Sequence, residues 1–107
     1  MNDIMPQPAE QRHEADWTAG LSATDLHRVL SSERRRALLD VLLTQSSPIT
    51  LDELARAVTI QQFETTEPSP EIVEKVMVTL HHNHLQMLSS LGIVTYDPST
   101  RQVMLLG

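Results

Sequence analysis

Two groups of side chains in this sequence could do chemistry: the histidines His81, His82 and His84, and the arginine triplet Arg34, Arg35 and Arg36. Imidazoles ligate metals, and His81 and His84, three apart on a helix, could reach one ion. Two ligands fall short of the usual four, so the rest would have to come from another subunit or from the N-terminal segment. His84 also falls at the centre of an apolar helix face, where a hydrogen-bonded core histidine is the ordinary reading, and no metal or other cofactor is expected. The absence of cysteine removes thiolate zinc sites, disulfides and cysteine nucleophiles. With three glycines in all, the chain has no glycine-rich phosphate loop. Ser89 or Ser90 beside a histidine lacks a third member that spacing would position, so catalysis is not expected.

Nucleic-acid chemistry fits better. At 100° per residue, a helix from Pro70 to Leu91 puts Val73, Val76, Met77, Leu80, His84, Met87, Leu88 and Leu91 on one side. The other side carries Lys75, Thr79, His82, Asn83, Gln86 and Ser90, with Val78 and Leu85 together on a flank. Between Lys75 and Tyr96 there is no Asp or Glu, although the chain has a net charge of −6. A surface without carboxylates is what a phosphate-facing helix needs, and distant charges are screened over ~8 to 10 Å. Asn83 and Gln86 are the candidates for reading adenine edges, and Lys75, Thr79 and His82 for touching phosphate. Arg34, Arg35 and Arg36 read equally as phosphate ligands or as partners of Glu33 and Asp40, and Arg101 has the same double reading.

These residues need elements to hold them. Residues 1–20 lack periodicity and are expected to form a mostly disordered tail, from which Trp17 folds back onto a single domain over residues 21–107. Ser22 opens a short helix with Leu26, Val29 and Leu30 on its apolar face; Ser32 opens a second, running to about residue 45. Ser46 to Ile49 form a link or a stub of strand. Thr50 and Glu53 make a capping box for a third helix, expected to end near residue 60. A polar loop follows. Ser69 and Pro70 then start the longest helix, which Gly92 closes. Beyond it the pattern turns to alternation, giving a hairpin from Ile93 to Leu106 around Asp97, Pro98, Ser99 and Thr100. Helix, helix, link, helix, helix and hairpin is the layout of a mainly α fold with a β-hairpin wing, the winged helix-turn-helix.

The run from Leu80 through His84 and Leu85 to Gly92, Ile93 and Val94 resembles the recognition-helix-to-wing segment of ArsR-like and MarR-like regulators. The arginine stretch from Ser31 to Arg36, the Pro-Ile-Thr-Leu-Asp-Glu-Leu-Ala segment from Pro48 and the His-Leu and Tyr-Asp pairs are similar to an uncharacterised winged-helix family of halophilic archaea. That resemblance spans residues 21–106; Gln86 stands where the family often has proline. It implies a transcription regulator that binds double-stranded DNA, with a winged-helix module for protein interaction or dimerisation as the alternative. A small core favours a homodimer. Lack of cysteine, of an apolar span and of a signal-like N-terminus point to the cytoplasm without membrane contact, and nothing names a small-molecule effector.

Overall fold

Residues 16–106 are described in a computed structural model of the chain, and the part of the expected tail over residues 1–15 lies outside them. A single 3-10 turn, Asp16–Thr18, comes first, and Trp17 and Leu21 pack against the core. Then follow α1 (Ala23–Leu30), α2 (Glu33–Leu43), β1 (Ile49–Thr50), α3 (Leu51–Phe63), α4 (Pro70–Thr79), a π-helical turn (Leu80–His84), α5 (Leu85–Ser90), β2 (Val94–Asp97) and β3 (Gln102–Leu105). The architecture is mainly helical with one small antiparallel sheet. None of the described helices is long and apolar enough to cross a membrane.

The helices start where polar side chains take up free backbone N–H groups, each contribution being ~1 kcal/mol. Ser22 Oγ accepts from Asp25 N at 3.0 Å, Ser32 Oγ from Arg35 N at 3.2 Å and Ser69 Oγ from Ile72 N at 3.3 Å. At α3 both arms of the capping box are present: Glu53 N donates to Thr50 Oγ1 at 3.2 Å, and Thr50 N to Glu53 Oε1 at 3.3 Å. Gly92, at φ +77°, closes α5 with paired bonds from Gly92 N to Ser89 O and from Ile93 N to Leu88 O. That left-handed conformation is unstrained only for glycine, and it turns the buried Ile93 back over the buried Leu88.

The core gathers Leu38 and Leu42 of α2, Leu54 and Val58 of α3, Val76 of α4 and Val103 of β3, all 2% exposed or less. Leu80 and Leu85 join them with no exposure at all. In a regular α-helix those two would lie ~140° apart. Here the Leu85 N–H bonds to the Leu80 carbonyl, five residues back, and the wide turn absorbs the extra residue. This corrects the helical wheel at Leu85, expected on a flank beside Val78 and found in the core; Val73, Met77, Met87 and Leu91, expected to face the core, are half-buried, and the first two lie before the wide turn.

Ile49 and Thr50, expected as a link or strand stub, form an edge strand. The sheet order is β1-β3-β2, with Ile49 opposite Val103 and Val103 opposite Tyr96. A bond from Leu51 N to Arg101 O at 2.7 Å ties the start of α3 to the hairpin.

Candidate nucleic-acid interface

Along the rod formed by α4, the π-turn and α5, Lys75, His82, Asn83, Gln86 and Ser90 are all exposed. The Asn83 side chain makes no hydrogen bond to another described residue, whereas Gln86 Nε2 donates to the His81 carbonyl at 3.3 Å and Ser90 Oγ to the Met87 carbonyl at 2.8 Å. Thr79 is placed differently. It is half-buried, its hydroxyl donating to Val76 O and accepting from Arg34 NH1, both at 2.9 Å. Lys75 shares a shallow groove with Glu71, Glu74 and Val78. The carboxylate-free run thus starts at the very residue whose neighbours on the preceding turn are acidic.

Arg34 and Arg35 turn inward, while Arg36 stays exposed. Arg34 bridges three helices, donating through Nε to Gln62 Oε1 and through NH1 to Thr79 Oγ1, each at 2.9 Å. Arg35 reaches the carbonyl end of α1, with NH2 on Arg28 O at 2.8 Å and Nε on Val29 O at 3.2 Å, and Arg36 NH1 donates to Leu30 O. Two guanidinium groups therefore cap the negative end of α1, an arrangement worth ~0.3 to 1 kcal/mol per charge. None of the ion pairs among the described residues involves the triplet. Sequence reasoning weighed phosphate against carboxylate and missed the backbone carbonyls. The signal available was position: a helix ending at Leu30 places its unpaired carbonyls within reach of arginines a few residues on. Burial, with a smaller push from Arg28, lowers the Arg35 pKa from its ordinary value.

Two of the histidines are claimed by separate partners. His81 Nδ1 lies 2.6 Å from Tyr96 Oη, joining the π-turn to β2, and its ring also meets those of Tyr96 and His82 edge-on. Burial pushes the Tyr96 phenol up, against a weaker pull from Arg101. His84 is 8% exposed, and its Nδ1 is 3.4 Å from Arg35 NH1. Burial first, then the Arg35 and Arg34 charges, hold its pKa down at about 4, so the ring is neutral and accepts from the guanidinium. The two imidazoles considered as joint metal ligands thus serve different contacts.

At the hairpin tip, Ser99 donates to Asp97 Oδ1 through both N, at 2.9 Å, and Oγ, at 2.7 Å, and these bonds lower the Asp97 pKa. Arg101, at φ +61°, holds Asp52 Oδ1 through NH2 at 2.8 Å, spanning from the hairpin to the first turn of α3.

Residues 27–104 match a family described as a domain of unknown function, DUF7344, and the chain belongs to that family. No curated protein and no solved structure matches the chain.

Proposed function

We propose that this member of the family is a transcription regulator that binds double-stranded DNA as a homodimer through a winged helix-turn-helix. In that reading α3 lies across the backbone, the rod enters the major groove, and the β2–β3 hairpin is the wing against an adjacent backbone. The observation that carries it is the outer face of the rod beyond Lys75. His82, Asn83, Gln86 and Ser90 stand exposed there, two amides, an imidazole and a hydroxyl without a carboxylate, and the hairpin follows them in the chain. Glu71 and Glu74 repel phosphate from the start of α4, which centres the contact on the π-turn and α5. Asn83 and Gln86 read base edges; Lys75 and His82 touch phosphate; Arg36 and Arg101 keep exposed charge for the backbone. Arg34, Arg35 and Thr79 support the reading from inside, by fixing the rod against α2.

The test is selection of a binding site from random duplexes, followed by competition with the Asn83→Ala/Gln86→Ala variant. Loss of two amide contacts removes ~1 to 3 kcal/mol of discrimination each while the fold stays intact. A variant that still selects the same site, or a wild type that selects none, overturns the proposal.

A further inference from the structure

We infer that the cleft between the hairpin and the junction of α4 with the π-turn binds a small monocarboxylate with a compact apolar body. The cleft holds about 200 Å3, below the usual range for drug-sized ligands and suited to a small metabolite. Its lining combines apolar Leu51, Met77, Val78 and Pro98 with the hydrogen-bonding groups of His81, His82, Tyr96 and Arg101. No Asp or Glu is among the described residues that line it.

Each polar group has capacity to spare. Arg101 uses NH2 on Asp52 Oδ1 and on Met77 Sδ, and its NH1 and Nε have no partner among the described residues. The Asp52 pair is exposed on both sides, 51% and 71%, so it restrains the guanidinium only weakly. Whichever of His81 Nδ1 and Tyr96 Oη donates in their 2.6 Å bond, His81 Nε2 is left over. The cleft therefore offers the unused NH1 and Nε edge of a guanidinium whose charge Asp52 shares, together with further hydrogen-bonding groups beside apolar side chains. A carboxylate matches the planar fork of that guanidinium, and an apolar body of four or so carbons covers Met77 and Val78. A phosphate dianion would need more positive charge than one arginine supplies and would leave the apolar side chains wet. The cleft shares His82 and Arg101 with the proposed phosphate contacts but none of the proposed base-reading residues, and the inference does not depend on DNA binding.

The experiment is titration of the whole chain, without DNA, with 3-methylbutanoate, followed by calorimetry and by backbone amide shifts. The amide of the same acid and inorganic phosphate serve as controls. Expected is saturable binding of the acid at millimolar concentration or below, with shifts confined to residues around Val78, Tyr96 and Arg101. The amide and phosphate should bind at least ~10-fold more weakly. Arg101→Gln should lose binding by a similar factor. Val78→Phe, at a position 48% exposed and so without cost to the core, should lose it by filling the cleft. Equal binding of acid and amide, equal binding of phosphate, no saturation, or indifference to both substitutions each overturns the inference.

Discussion

His84 is buried, with the Arg35 guanidinium against its ring and the Arg34 charge nearby, and its pH behaviour follows from that. Its pKa is held at about 4 in the fold against 6.5 for the free side chain. Between those values the unfolded chain binds the proton more readily, so stability is full above pH ~6.5 and falls as the pH drops towards ~4, where the loss is complete. The shift corresponds to about 3 kcal/mol. Denaturation midpoints measured from pH 7 to 4 should therefore decline in the wild type, and His84→Leu should flatten that decline; an unchanged slope would mean that the ring is solvated. Arg34 gives a second expectation at this scale. Its two bonds to Gln62 and Thr79 diverge, which suits a planar fork and not an ammonium group. Arg34→Lys should destabilise the fold by ~1 to 3 kcal/mol in urea melts, almost as much as Arg34→Ala, whereas a role confined to phosphate contact would leave the melts unchanged.

The π-turn is where the elements depart from the ideal, and it explains both what the sequence revealed and what it hid. Removing exposed Asn83 would bring Leu80 and Leu85 from five apart to four, the spacing at which a regular α-helix buries both. The deletion should thus keep or raise the melting temperature, while deletion of Lys75 in regular α4 should unfold the domain by displacing Val73 relative to Val76. Equal damage from the two would show that the wide turn is not an inserted residue. Caps were legible because they depend on neighbours in sequence: Ser22, Ser32, Thr50 with Glu53, Ser69 and Gly92 all act as their types and spacing imply. The order of helices and the hairpin followed from the same local signals. Phase was not legible past Leu80, since a constant 100° per residue cannot register an extra residue whose reason is core packing. The fate of the arginines was hidden too, because their acceptors are backbone carbonyls and side chains brought near by tertiary folding.

The described residues offer DNA few free cations, and the proposed regulator should show it. Arg34 and Arg35 are occupied within the fold and Arg28 pairs with Asp25, which leaves Lys75, Arg36, Arg56 and Arg101 as the exposed cations of the described residues in each protomer. A dimer using two of these on each side would release about four counterions, at ~0.9 per phosphate. Affinity across a potassium chloride series should fall with a log–log slope near −4 or shallower, on half-sites about one helical turn apart. A steep slope with no site preference would reveal bulk attraction instead. Mass measurement of the complex reports the two-protomer stoichiometry in the same experiment.

The strand furthest along the chain, β3, is the middle of the sheet, and this bears on how the protein is made. β1 and β2 have no hydrogen-bonded strand neighbour until β3 exists, and about fifty residues separate Ile49 from Val103. At ~5 to 20 residues per second, a ribosome needs roughly 3 to 10 s to cover that interval. Throughout it the nascent chain carries an unpaired β1 and lacks the cover that Val103 gives the core, a window in which proteases and chaperones compete with folding.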